Sequence, residues 1–95
     1  MTITKNTIVG VVGAGAMGTG ITQVAAMAGH RVVLCDENKD ALDKAKKSLI
    51  TTIQKLHEKG KIPSADEVIQ RFSFEHKITA FKDCGLVIEA IIEKL

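Results

Sequence analysis

The stretch that decides the fold is Val9-Gly-Val-Val-Gly-Ala-Gly-Ala-Met-Gly18. Its first half is a short run of β-branched residues and glycine, which is typical of a strand buried on both faces. Its second half contains Gly13, Gly15 and Gly18 at the spacing GxGxxG. From Ala16 onward the apolar residues recur at helical spacing. The stretch therefore predicts a strand, a tight glycine turn and a helix in direct succession.

Each of the three glycines has its own physical task in such a turn. Gly13 permits the sharp turn out of the strand, Gly15 lacks the Cβ that would block a pyrophosphate, and Gly18 lets the helix pack closely on the strand. The free N–H groups of the first helical turn, to which Ala16 and Met17 belong, point at the diphosphate at the positive end of the helix dipole. The turn predicts a dinucleotide site.

An acidic residue stands where a dinucleotide site needs one. Asp36 lies 21 residues after Gly15 and directly follows a second apolar strand, 31–35. A carboxylate there can accept hydrogen bonds from both hydroxyls of the adenosine ribose and would repel a 2′-phosphate. Neither Glu37 nor Asn38 is an arginine that would attract such a phosphate. NAD is therefore favoured over NADP as the cofactor.

The rest of the chain continues the alternation of strands and helices. The predicted elements are a helix from Ala16 that Gly29 ends, a helix 40–59 capped by Asp40 and ended by Gly60, a short helix 65–71 capped by Ser64, a weaker strand 72–77 and a final strand 86–90. Such alternation builds a parallel sheet. We predict one α/β domain over residues 1–95, a Rossmann-type doubly wound parallel sheet of which the chain contains a βαβαβ portion.

Composition argues against several classes of function. Thirteen Lys and Arg against 11 Asp and Glu leave a net charge of only +2, and Trp and Tyr are absent, so no nucleic-acid partner is expected. No apolar run reaches the roughly 18 residues of a membrane span, and residues 1–7 contain no apolar leader. Cys35 and Cys84 have no metal-ligand spacing. We predict a cytoplasmic protein with reduced thiols, no membrane association and no metal site.

Three blocks of the sequence carry a family resemblance. They are Val9 to Gly18, then Ala28-Gly-His-Arg-Val-Val-Leu34 with Asp36, and Leu86-Val-Ile-Glu-Ala-Ile-Ile-Glu93. Together they resemble the N-terminal NAD-binding domain of the 3-hydroxyacyl-CoA dehydrogenases, over about residues 6–95. The resemblance implies oxidation of an (S)-3-hydroxyacyl-CoA to the 3-oxoacyl-CoA, with hydride passing to NAD.

The resemblance also implies roles for residues that the glycine turn does not identify. Ala90 would approach the cofactor through its backbone, and Glu93 would lie near the nicotinamide ribose. Thr52 and Lys59 match positions that contact the nucleotide of the acyl-CoA substrate. Each of these three polar residues also has a simpler interpretation as a solvated residue after a strand or on a helix, and the sequence leaves both open.

The family's catalytic residues do not fall within these 95 residues. They are a His–Glu pair with supporting Ser and Asn, in which the His acts as general base on the 3-hydroxyl and the Glu orients it. His30, His57 and His76 are interpreted as surface or helix-capping residues, with His30 meeting the last carbonyls of the first helix. The family's helical domain, which dimerises and closes over the substrate, is also absent. We expect a cofactor-domain fragment of a homodimeric parent enzyme, incomplete at its C-terminus, which alone binds NAD weakly and does not catalyse.

Alternatives remain at this point. A dehydrogenase of the 3-hydroxyisobutyrate or 6-phosphogluconate type shares the Gly-x-Gly-x-Met-Gly turn, but the long helix and the lack of Arg after Asp36 argue against it. A non-catalytic NAD-binding module would carry the same turn. A flavin protein is disfavoured because Asp rather than Glu follows the second strand.

The lysines of the long helix are not assigned to a phosphate site. Lys44, Lys46 and Lys47 alternate with Asp40 and Asp43. Mixed helix faces of this kind are mostly solvated.

Overall fold

The computed structural model describes residues 7–90, which form a parallel sheet flanked by helices. Its strands are β1 (Val9–Val12), β2 (Val32–Cys35), β3 (Phe72–Glu75) and β4 (Leu86–Glu89). Its α-helices are α1 (Ala16–Met27), α2 (Lys39–Glu58) and α3 (Ala65–Ile69), and a 3₁₀ segment spans Ile78–Asp83. The predicted Rossmann-like α/β fold is confirmed. No helix within residues 7–90 has the length and apolar character needed to cross a bilayer.

The order of the strands creates a crevice at one edge of the sheet. The order is β3-β2-β1-β4, and all the pairings are parallel. The chain therefore proceeds from β1 to β2 and β3 on one side and returns to place β4 on the other side of β1. In open parallel sheets, ligands bind beyond the carboxyl ends of the strands at such a reversal. The fold brings Gly13, Asp36 and Ala90, which follow β1, β2 and β4, to this edge.

One face of the sheet carries the hydrophobic core. Val9, Val32 and Phe72 are register partners on adjacent strands, as are Val11 and Leu34, and all five are buried. Helices α1 and α2 cover this face and supply Ala26, Leu42, Ala45, Leu49 and Ile53 to the cluster, and α3 adds Val68. Because each large apolar side chain contributes about 1.5–3 kcal/mol on full burial, this single layer holds the two helices on the sheet.

The opposite face is covered by the 3₁₀ segment, which the sequence analysis did not predict. It packs directly on Gly10, where an added Cβ would lie 2.8 Å from a ring carbon of Phe81 and 3.1 Å from Sγ of Cys84. An isolated glycine within a strand is a recognised sign of such a close approach. Gly10 therefore has a packing role that the analysis of the glycine turn did not assign to it.

The predicted cap of the long helix is wrong. Asn38, and not Asp40, is the N-cap of α2, and its side chain accepts a hydrogen bond of 3.1 Å from the N–H of Ala41. Both residue types suit the position, but β2 ends at Cys35 and the turn after it reaches helical geometry two residues earlier than predicted. The cap predicted for α3 is correct, because Oγ of Ser64 accepts from the N–H of Glu67 at 3.3 Å.

The ends of the elements otherwise lie close to the predicted ones. Gly29 and Gly60 follow α1 and α2 with positive φ angles of 105° and 73°, a conformation that glycine adopts without strain. The strands are shorter than predicted by one to two residues at some ends, so that β2 begins at Val32 and β3 ends at Glu75.

The contact between α1 and the glycine turn is testable by stability. Gly18→Ala is expected to lower the free energy of unfolding by about 3 kcal/mol, because the added methyl would overlap the carbonyl oxygen of Gly13. Urea unfolding followed by circular dichroism measures the change. Gly20→Ala in the same helix is the matched control, since no atom lies within 4 Å of its added Cβ. It should gain about 0.5–1 kcal/mol of stability. Equal midpoints for the two variants would contradict the close packing.

Candidate functional site

Two glycines of the turn are required by the protein's own packing. Gly13 has a φ of 106°, which side chains other than hydrogen rarely allow. Its N–H donates to the carbonyl of Cys35 at 2.8 Å, which ties the end of β1 to the end of β2. Gly18 lies against the carbonyl of Gly13 with no space for a Cβ. These two positions would need glycine even in a protein without a ligand.

Gly15 differs from the other two glycines. Its φ of −74° is accessible to any residue, and no atom of the protein lies within 4 Å of a Cβ built on it. Neither backbone strain nor packing requires glycine there. The open space beside its backbone is what a ligand that approaches the turn closely would occupy, as the analysis of the motif predicts.

The N-terminus of α1 carries no side-chain cap. Gly15, its N-cap residue, makes no side-chain hydrogen bond, and the first turn of α1 contains no acidic residue. In contrast, α2 and α3 each have a side-chain cap and at least one acid in the first turn. The first N–H groups of any helix lack partners within it. The N–H groups of α1, at a helix end equivalent to about half a positive charge, are therefore left for an anion.

Asp36 fixes the glycine turn as well as facing the site. One of its carboxylate oxygens accepts from the N–H of Ala14 at 2.8 Å and the other from the N–H of Asn38, also at 2.8 Å. Each oxygen of an ionised carboxylate retains a further lone pair, so ribose hydroxyls could still donate to it. The side chain is half-buried at the crevice edge of the sheet. Sequence reasoning missed the bond to Ala14, which joins the two halves of the predicted site.

The cysteines are not candidate nucleophiles. Burial, followed by the negative charges of Asp36, Glu75 and Glu37, raises the pKa of the Cys35 thiol. Burial and the charge of Asp83 likewise raise the pKa of Cys84. Because the thiolate is the reactive form, both thiols stay protonated and unreactive near neutral pH.

Two depressions flank α1. The first, the α1–α2 cleft, has a volume of about 390 Å³, and it is lined by Ala14, Gly15, Ala16, Thr19, Gly20 and Gln23 on one side and by Lys44, Ala45 and Ser48 of α2 on the other. The second, the α1–β4 groove, has a volume of about 640 Å³ between the opposite side of α1 and β4, and its lining is mainly apolar. Only the α1–α2 cleft combines the glycine turn with polar side chains from a second helix.

The residues predicted by resemblance lie at different distances from the turn. Ala90 is buried beside it, and its N–H donates to the carbonyl of Val12 at 2.8 Å, so only its carbonyl is left for a ligand. Thr52 is half-buried in α2, and Lys59 is the C-cap of that helix. A helix of 20 residues is about 30 Å long, so Lys59 is far from the turn. Glu93 lies outside the described residues.

The two histidines with hydrogen bonds have structural partners. His57 is exposed and contacts the carbonyl of Ile62 at 3.3 Å, beyond the C-terminus of α2, in agreement with the surface interpretation. His30 contacts the carbonyl of Thr7 at 3.0 Å, before β1, and not the last carbonyls of α1 as predicted. The physical reason is that His30 follows the turn at Gly29, and the next residue, Arg31, accepts a hydrogen bond from the N–H of Val9 at the start of β1. His76 is exposed after β3. None of the three lines the α1–α2 cleft.

Comparison with known proteins agrees with this geometry. The family model described as "3-hydroxyacyl-CoA dehydrogenase, NAD binding domain" matches residues 8–95. A probable 3-hydroxybutyryl-CoA dehydrogenase of Deinococcus radiodurans is 48% identical over 85 residues, which are 88% of this chain and 31% of the relative. The mitochondrial hydroxyacyl-coenzyme A dehydrogenase of Homo sapiens is 36% identical over 93 residues, 90% of this chain and 30% of the relative.

A solved structure has the same fold. The 3-hydroxybutyryl-CoA dehydrogenase of Escherichia coli superposes with a TM-score of 0.87 at 33% identity, over 94% of this chain and 19% of that protein. The chain thus spans about a third or less of the length of these relatives. The shared part is the cofactor domain.

The acid after β2 is the first site residue to test. Asp36→Asn is expected to weaken NADH binding and to narrow the preference for NADH over NADPH by roughly 1–3 kcal/mol, because the amide removes the charge and one acceptor oxygen. Fluorescence titration with both cofactors measures the change. Asp43→Asn, on the exposed side of α2, is the charge-matched control. An unchanged affinity and preference would remove Asp36 from the site.

The open space at Gly15 gives a complementary test. Gly15→Val is expected to abolish NADH binding, because its side chain would fill the space beside the helix N-terminus. The unfolding midpoint and the circular dichroism spectrum should stay close to those of the unmodified protein, since no protein atom lies within 4 Å of the added Cβ. A folded variant that still binds NADH normally would show that the diphosphate lies elsewhere.

Proposed function

The chain belongs to the 3-hydroxyacyl-CoA dehydrogenase family, as its NAD-binding domain, and from this premise we propose that it serves an enzyme that oxidises (S)-3-hydroxyacyl-CoA to 3-oxoacyl-CoA. The observation that carries the proposal is the set of three features at one sheet edge. These are the uncapped N-terminus of α1, the space at Gly15 and the carboxylate of Asp36.

The residues present fit NAD. The N–H groups of Ala16 and Met17 belong to the first turn of α1 and would hold the diphosphate, and Gly15 leaves room for it. Asp36 would accept from the adenosine ribose, while its bond to Ala14 keeps the turn in the binding conformation. When bound, NAD supplies the acceptor for the hydride removed from C3 of the substrate.

The relatives' names support an acyl-CoA substrate, which we propose to contact α2. Thr52 and Lys59 are seven residues apart on that helix, about 10 Å along its axis. A ligand that touches Lys59 and also reaches the crevice beside Gly15 must be long, and coenzyme A is an elongated molecule with a nucleotide at one end and the acyl group at the other. Glu93 and the carbonyl of Ala90 would complete the cofactor side. The general base would come from outside these 95 residues.

Assembly and location are part of the same proposal. By the resemblance we propose a homodimeric enzyme that acts in the cytoplasm. The human relative is named as mitochondrial, so the proposed cytoplasmic location differs from that of this relative.

A domain exchange tests the proposed function directly. Residues 8–95 would replace the matching segment of the Deinococcus radiodurans relative, which is 48% identical. The chimera should reduce NAD when given (S)-3-hydroxybutyryl-CoA, because the rest of that protein supplies what the exchanged segment lacks. Formation of NADH at 340 nm measures turnover, and the same chimera with Gly15→Val should be folded and inactive.

A folded chimera that binds NADH without turnover would contradict the dehydrogenase function and would favour a non-catalytic NAD-binding module. A chimera that binds no NADH would contradict the cofactor site itself.

A further inference from the structure

The three lysines at the middle of α2 have different surroundings, although the sequence treats them alike. Nζ of Lys46 lies 5.8 Å from the centre of the Phe74 ring, in a cation–π contact. Lys44 and Lys47 are both exposed, but Lys44 lines the α1–α2 cleft together with Gly15 and Lys47 does not. The packing of α2 against α1 thus places Lys44, and neither of the other two lysines, in the wall of the cleft that contains Gly15.

Lys44 is the only charged side chain that lines this cleft, and within residues 7–90 it has no ion-pair partner. A dinucleotide diphosphate carries two negative charges, whereas the end of α1 supplies the equivalent of about half a positive charge. Among residues 7–90, no other cation lines the cleft to make up the difference. The positive charge of Lys44 would therefore neutralise part of the diphosphate charge that the end of α1 leaves unbalanced.

The α1 side of the cleft includes two glycines, beside the side chains of Thr19 and Gln23. Gly15 and Gly20 face it from α1, and no atom lies within 4 Å of a Cβ built on either. Ser48 lies one helical turn beyond Lys44 and adds a hydroxyl to the same wall. A phosphate seated at the turn would lie in the cleft that Lys44 also lines.

We propose that Lys44 is a phosphate-binding residue of the cofactor site, which neutralises the NAD diphosphate from the α2 side of the cleft. The inference rests on the proposed function, since it assigns an additional residue to the same site. Ionised partners make the stronger hydrogen bonds, and those at a surface are screened by salt. Lys44 should accordingly contribute both affinity and salt dependence to NADH binding.

The test compares two lysines three residues apart on one helix. Lys44→Gln should raise the Kd for NADH about tenfold, and Lys44→Arg should restore most of the affinity. Lys47→Gln removes the same charge from a residue outside the cleft and should change the Kd less than about twofold. Titrations at low and high NaCl should show a weaker salt dependence for Lys44→Gln than for the unmodified protein. Equal Kd values and salt dependences for the two glutamine variants would overturn the proposal.

Three further ligands identify which phosphate Lys44 binds. Lys44→Gln should weaken ADP-ribose, which contains the diphosphate, as much as NADH, and should leave adenosine, which has no phosphate, unaffected. If the variant weakens coenzyme A and leaves NADH unchanged, the lysine serves the substrate and the assignment to the cofactor is wrong. An unmodified protein that binds no NADH overturns the proposed function, and this inference with it. Unchanged NADH binding by Lys44→Gln overturns this inference alone.

Discussion

The contact between Gly18 and the carbonyl of Gly13 is the constraint on which the rest of the structure depends. It brings the axis of α1 as close to β1 as a backbone allows. This proximity places the start of α1 at the crevice beyond β1, while α1 and α2 contribute side chains to the same hydrophobic core. A larger residue at either position would move the helix that carries the anion-binding N–H groups. The packing of α1 on the sheet and the geometry of the site therefore depend on the same two residues, Gly13 and Gly18.

The three glycines of the motif meet two different requirements, one of the fold and one of the proposed ligand. Gly13 and Gly18 satisfy the fold, through a positive φ and a contact without a Cβ, whereas Gly15 leaves space that the protein itself does not use. Asp36 adds a third element, since its carboxylate holds the N–H of Ala14 from the end of the neighbouring strand. A site built in this way keeps its shape without a ligand, so that little ordering remains for the cofactor to impose.

Most of the fold could be predicted because each element has a local signal. β-Branched runs marked β1 and β2, helical periodicity marked α1 and α2, and Ser64 marked the start of α3. The predictions failed where the signal was ambiguous or absent. Asn38 and Asp40 are both good caps, and only the end of β2 decides between them. The 3₁₀ segment has no helical periodicity, and its packing on Gly10 involves residues far apart in the chain.

The sequence by itself determined the α/β class, the glycine turn and the acid 21 residues after Gly15, because the motif's spacing reflects local backbone geometry. The NAD-binding roles of these residues remain predictions, and so does the role of Glu93 near the nicotinamide ribose. Only the tertiary structure decided that Asp36 holds the turn through Ala14 and that Lys44, rather than Lys46 or Lys47, lines the cleft. The physical reason is that these relations depend on the strand register and on the rotation of α2 about its axis, which core packing sets and which neighbouring residues do not encode.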